Sequence, residues 1–226
     1  MKECNPCQRI KSETTAPPGL LHPLPIPNKP WSDISMDFVE ELPKSQGYEV
    51  VLVIGDRLTK YAHFVPLDHP YRASKFASLF MQYILKLHGM PVKIVSDRDV
   101  TFTSLFWSEL FRLQAVNLAV SAAYDPQSDG QTEIVNIILE QYLRAFTGDR
   151  PHQWAELLPL AEFWFNTNFH TTLKLTPFEA LYGYPPQTLQ DYIPGTTRVA
   201  AVDSFLSHRQ QVLAVIKTNL AAAKKE

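Results

Sequence analysis

The chain has 226 residues, 45% of them apolar and 19% charged, with a formal net charge of −2. Such figures fit one globular domain with appendages, and they lack the overall basic character that announces a nucleic-acid partner. No apolar run reaches the roughly 18 residues of a membrane span, the polar start MKECNPCQRIKSETT has no signal-peptide core, and two cysteines are a poor basis for a disulfide framework.

Residues 1–15 form a short polar, basic segment. Residues 16–30, APPGLLHPLPIPNKP, are rich in proline and read as an extended linker. The pattern changes at Trp31. Ile34, Met36 and Phe38 alternate with Ser35, Asp37 and Val39, which predicts a half-buried strand with Asp37 facing away from Met36 and Phe38. EVVLVIGD (49–56) is a continuous apolar run, as expected of a central strand covered on both sides. YAHFVPL (61–67) makes a third strand, and short polar connections favour antiparallel neighbours. Phe76, Leu79, Phe80, Tyr83, Ile84 and Leu87 then fall at helical spacing, and Gly89 followed by Pro91 stops the helix.

VKIVS (92–96) is a short strand that ends at Asp97. Ser104 opens a helix running to about Gln114, and VNLAVS (116–121) gives a fifth strand. A helix carrying Glu133 near its start follows. Val135, Ile138, Leu139, Tyr142 and Phe146 form its core face, with Glu133, Asn136, Glu140 and Arg144 opposite. Trp154, Leu157, Leu158, Ala161 and Phe165 predict another helix, with a kink or boundary at Pro159. TPFEALYGYPP closes the core, and residues 199–225 give a last helix for docking or linkage. The order of elements predicts an α/β fold, a mixed five-stranded sheet flanked by helices on both faces.

Three carboxylates carry the chemistry. Asp37 lies 60 positions before Asp97, and 35 residues separate Asp97 from Glu133. Two such charges 4 Å apart repel by about 4 kcal/mol at an effective dielectric of 20. Divalent cations relieve that repulsion, and hard oxygen ligands favour Mg2+ or Mn2+. Two ions about 3.5–4 Å apart form a clamp for displacement at phosphorus. The pattern reads as a metal-dependent enzyme acting on a nucleic-acid backbone.

VSDRD around Asp97, DPQSDGQTE leading into Glu133, and the gap between them resemble the D,D-35-E integrases of retroviruses and LTR retrotransposons. WSDISMDFVEELPKS, DRLTKYAHFVPL, FTSLFWSELF and TPFEALYGYPP resemble the catalytic core of gypsy-type elements, the chromovirus branch above all. The resemblance covers about residues 4–225 and implies a ribonuclease-H-like fold. It implies DNA integration: 3′-end processing and strand transfer of element DNA by a homo-oligomer on double-stranded DNA, in the nucleus. It assigns Asp37, Asp97 and Glu133 as catalytic residues and ligands of two Mg2+ or Mn2+ ions. It places Tyr124, Gln127 and Asn136 near DNA, while Lys60 reads either as a phosphate contact or as an exposed loop lysine.

Cys4 and Cys7 resemble half of the family's zinc module, and free thiols are the competing reading, because structural Zn2+ wants four ligands. His22 is an unpaired candidate. The resemblance divides the chain into a zinc-module remnant (1–15), a linker (16–30), a catalytic core (31–185) and a C-terminal linker and helix (186–226), with family material expected beyond both ends. Two positions depart from the family pattern: Asp125 replaces a histidine, and Ile137 replaces a basic residue. They leave open a catalytically silent relic or a host-recruited DNA-binding or assembly module. A ribonuclease-H-like nuclease is a third option that the DPQSDGQTE block disfavours. Gln127, Ser128, Asp129 and Gly130 read either as a DNA-end contact or as a turn capping the helix, with Ser128 or Asp129 as cap. His63, His69 and His88 have no metal-ligand spacing and read as structural. Trp154, Trp164 and Phe165 read as core.

Overall fold

The computed structural model describes residues 25–70, 73–96, 111–112, 116–120, 126–147, 151–187 and 192–224. The strands are β1 (Asp33–Val39), β2 (Val50–Asp56), β3 (Ala62–Leu67), β4 (Lys93–Ser96) and β5 (Asn117–Val120). They form one sheet in the order β3-β2-β1-β4-β5. β1–β2 and β2–β3 are antiparallel, whereas β1–β4 and β4–β5 are parallel. This is the predicted mixed sheet.

β1 is its middle strand, so one expectation changes. Ile34, Ser35, Met36 and Val39 are all buried, and β1 is covered on both faces rather than one. Ile34 and Met36 join a layer with Leu52, Ile54, Phe76 and Phe80. Val39, Val51 and Val53 face the other layer with Leu139, Tyr142, Trp154 and Leu158. Asp37 pairs in register with Val53, and side-chain alternation puts it on this second face, away from Met36 as predicted.

The helices are α1 (Ala73–Phe80), α2 (Pro126–Thr147), α3 (Trp154–Thr167), α4 (Pro177–Tyr182) and α5 (Ala200–Lys224). α1 continues through a π-helical turn, Met81–Leu85, into a last turn at Lys86–His88. Its end at Gly89, with φ 86°, fits the predicted stop. The helix predicted from Ser104 lies outside the described residues apart from Phe111 and Arg112, which are helical.

Three details differ from expectation. α2 starts at Pro126, two turns before Glu133, and therefore includes Gln127, Ser128, Asp129 and Gly130. Those residues are not a capping turn; proline suits a first helical position because its missing N–H has no partner there anyway. α3 runs through Pro159 without a boundary. The buried face of Trp154, Leu158, Ala161 and Phe165 holds the helix in place where one backbone bond is lost. Leu157 is only half-buried.

β3 lies at the sheet edge, and α3 seals it. The Asn166 amide exchanges two 2.8 Å bonds with Ala62, donating to its carbonyl and accepting from its N–H. Glu162 Oε2 accepts from Phe64 N at 2.8 Å. Pro66 offers no donor at the next outward position. The exposed rim that would otherwise recruit another strand is thereby closed. α4 is fixed by a capping box between Thr176 and Glu179 and ends at Gly183 with φ 78°.

Candidate active site at the carboxylate cleft

Asp37 is the fifth of seven residues in the central strand and is half-buried. Its Oδ1 accepts from Phe38 N at 2.8 Å, and its Oδ2 accepts from Asn136 Nδ2 at 2.7 Å. The second bond fastens α2 to the strand. Leu139 and Tyr142, both on the predicted core face, anchor α2 together with Leu143, which lies on the Asn136 side of the helix and was not predicted. Glu133 lies one turn before Asn136 on the same helix, and residues three apart share a face. The side chain of Glu133 lies outside the description.

β4 ends at Ser96, whose register partner on β1 is Met36. Asp97 lies outside the described residues, as do Tyr124, Cys4, Cys7 and His22. Gln127 is placed on the first turn of α2 by its backbone. Among the described residues, no group of three or more His, Cys, Asp or Glu is arranged to hold a metal ion.

Two polar oxygens at this end of the sheet were not legible as site features in the sequence. Ser96 is fully buried, and its Oγ has no hydrogen-bond partner among the described residues. The Oδ1 of Asn136 is buried and equally without one. Buried oxygens normally find donors, so that of Asn136, whose nitrogen bonds Asp37, fits a hard, oxygen-seeking cation or its bound water, whereas Ser96, level with Met36, faces the other side of the sheet. Adjacency to Asp97 was the one sequence signal that could have flagged Ser96. For Asn136, resemblance supplied a DNA contact but not the bond to Asp37.

Lys60 is elsewhere. It occupies the β2–β3 turn, which meets the start of β1: Arg57 N donates to Asp33 O, and Ile34 pairs with Asp56. Asp37 is about 10 Å further along the strand, at ~3.3 Å per residue. Lys60 Nζ donates to Arg57 O at 2.6 Å, and burial, followed by the nearby Arg57 charge, holds its pKa below the usual lysine range. Lys60 thus stands away from Asp37, the one of the three carboxylates whose side chain is described.

Ile137 is 37% exposed beside Asn136, on the side of α2 that also carries the Arg144–Glu140 pair at 2.7 Å. His63 and His88 form a cluster of their own, with Nε2 atoms 2.8 Å apart. His63 Nδ1 meets Glu162 Oε1 at 2.9 Å, and Trp31 stacks on His88 at 3.7 Å. Their separation along the chain hid this pairing. The structural reading of both residues agrees with these contacts.

A mixed five-stranded sheet with this strand order and flanking helices defines a ribonuclease-H-like fold, and solved structures agree. A chain of the simian T-cell lymphotropic virus intasome in complex with PP2A regulatory subunit B56 gamma superposes with TM-score 0.60 at 20% identity, covering 87% of this chain and 69% of that one. The HTLV-2 integrase catalytic core domain in complex with magnesium gives 0.54 at 18%, covering 68% and 97%. The BIV integrase core gives 0.53 at 20%, covering 68% and 95%. At these identities the likeness concerns the fold.

Sequence is more specific. The Transposon Tf2-3 and Tf2-4 polyproteins of Schizosaccharomyces pombe are 35% identical over 186 residues, or 82% of this chain. The chain spans only 14% of the length of these relatives. No protein-family model matches it. Over those 186 residues the chain is related in sequence to a part of the Tf2 transposon polyproteins, and its fold is that of retroviral integrase catalytic cores.

Proposed function

We propose that the chain is a metal-dependent polynucleotidyl transferase core that trims element DNA ends and joins the new 3′-hydroxyls to target DNA. The observation that carries this reading is the 2.7 Å bond between Asn136 and Asp37, which draws the helix bearing Glu133 against the strand bearing the first acid. Asp97, one peptide bond beyond Ser96, completes the set in this proposal, because β4 runs parallel to β1 and ends beside Met36.

The donor set fits a divalent cation: carboxylate oxygens, with the unpartnered Asn136 Oδ1 on the amide that bonds Asp37. Asp37, Asp97 and Glu133 would hold it. When bound, such ions activate the attacking oxygen and neutralise charge on the leaving one. The protein's own part is positional. Asn136 fixes the rotamer of Asp37, the core side of α2 fixes the height of Glu133, and half-burial of Asp37 limits competing water. Double-stranded DNA and a homo-oligomeric state belong to this proposal, as does nuclear location.

Ile137 favours a second reading, in which the fold persists with weakened DNA contact, because an exposed apolar side chain stands where a cation would meet phosphate. A strand-transfer assay with Mg2+ or Mn2+ separates the two. The enzyme reading expects metal-dependent joining that disappears in Asp37→Asn and Asp97→Asn. Joining that persists in either variant, or its absence from the intact chain, refutes it.

A further inference from the structure

We infer that a second face of the chain, at the opposite end of β1 from the carboxylate cleft, binds single-stranded nucleic acid on a platform of tyrosines flanked by lysines. The β2–β3 turn, the hairpin at 170–175 and α4 meet there. His170 N donates to Leu175 O at 2.9 Å, which closes the hairpin directly before α4. Tyr61, next to Lys60 in the turn, meets Tyr182 of α4 edge-on with ring centroids 5.9 Å apart. Tyr182 in turn lies 4.6 Å from Phe178 and 6.0 Å from Tyr184. The rings thus hold one another in place, yet Tyr182 is 45% and Tyr184 53% exposed. Exposed rings of fixed position are stacking surfaces, and every base has a π-face to lay on them.

Charge points to an anion at the same face. Lys60 precedes Tyr61, and Lys174 is exposed on the hairpin. Both take left-handed backbone positions, with φ 63° and 59°, where glycine or asparagine would be cheaper. The two turns therefore do not call for lysine, and its side chain is what these positions add. Burial, and then the Lys60 charge, lowers the pKa of His170, just as burial and then Arg57 lower that of Lys60, with Asp56 offsetting only part. The described acids nearby are already engaged. Asp56 accepts from Trp31 N and Thr59 N, and Asp33 faces Arg57 at 3.8 Å. Glu179 closes its capping box with Thr176, and Glu162 meets His63 and Phe64 N.

The partner must bring negative groups and flat apolar ones together at a short repeat. A single strand does so, with one phosphate and one base in every nucleotide. In a duplex the bases are stacked on each other, and phosphates alone would remain for the lysines. The face uses none of the three carboxylates, so the inference does not rest on the integration chemistry proposed above.

The test titrates the full chain into a fluorescent oligothymidylate of about 12 nucleotides and follows anisotropy. EDTA is present, so that uncompensated carboxylates repel phosphate from the cleft. Unlabelled single strand is expected to compete roughly tenfold or more better than duplex of the same length. Tyr184→Ala should weaken binding about fivefold or more at an unchanged salt slope, whereas Tyr184→Trp should retain it. Lys174→Ala should instead lower the slope of log K against log salt by about 0.7, the value for one lost phosphate contact. No binding, unaltered binding in both alanine variants, or equal competition by duplex overturns the platform. Equal competition by an acidic peptide assigns the face to a protein partner and overturns it as well. Strand transfer is scored on Asp37→Asn and Asp97→Asn, so either reading can fail while the other stands.

Discussion

Asn136 does two things with one amide: its nitrogen holds Asp37, and its oxygen stays buried without a donor. A hydrogen bond to a charged group contributes about 1.5–3 kcal/mol, enough to select one rotamer of the aspartate. Ile137, its neighbour, makes the opposite contribution. Replacing it with lysine adds a cation on the exposed side of α2 near the cleft. Ile137→Lys should therefore tighten binding of duplex DNA and steepen the fall of log K with log salt by about 0.9, the value for one added phosphate contact. A salt titration measured by anisotropy checks it; an unchanged slope would mean that this face does not meet DNA. The helical wheel made Ile137 visible in the sequence. The hydrogen bond of Asn136 was not, because it joins residues 99 positions apart.

His88 shows how such remote contacts set solution behaviour. Burial, and then the facing His63, lowers its pKa to about 4. The unfolded chain, with an ordinary histidine pKa near 6.5, binds a proton that the folded chain refuses. Its contribution to stability is therefore complete above about pH 6.5 and is lost as pH falls toward 4. Urea unfolding across that window should show stability declining with acid, and His88→Gln should flatten this part of the profile. An equally steep decline in the variant would place the acid sensitivity elsewhere.

At the scale of elements, the sheet edge is the most exposed liability, and α3 manages it. Asn166→Ala would leave both the N–H and the C=O of Ala62 without their partners, at roughly 1–3 kcal/mol for each buried group. We expect a loss of about 2–4 kcal/mol in denaturant unfolding, together with faster aggregation by light scattering as the rim opens. Unchanged stability would show that water replaces the amide freely. Element types followed well from periodicity: the antiparallel first three strands and the mixed sheet match, and of the core face of α2 Leu139 and Tyr142 are buried while Val135 and Ile138 are half-buried. Ends were harder to read. The residues after Pro126 could be taken for a capping turn and Pro159 for a kink or boundary, because a proline's effect depends on whether its position needs an N–H and on the packing that holds the helix around it.

For the whole molecule, the sheet order explains why residues so far apart can serve one site. β1 is central and parallel to β4, so its carboxyl end adjoins the end of β4, and α2 crosses that end of the sheet. Sites in α/β folds form at the carboxyl ends of parallel strands for this reason. Local motifs announced the three acids and alternation oriented Asp37, but only the assembled sheet relates the strand and the helix. Mn2+ provides the most direct test of that convergence, because a bound paramagnetic ion broadens the amide signals of nearby residues. Titrated into isotope-labelled protein, it should first erase the amide signals of residues 37, 97 and 133 together, and leave those of Lys60 and α4 intact. If any of the three keeps its signal while distant residues lose theirs, the three acids do not share a cation and the integrase chemistry proposed for this chain is wrong.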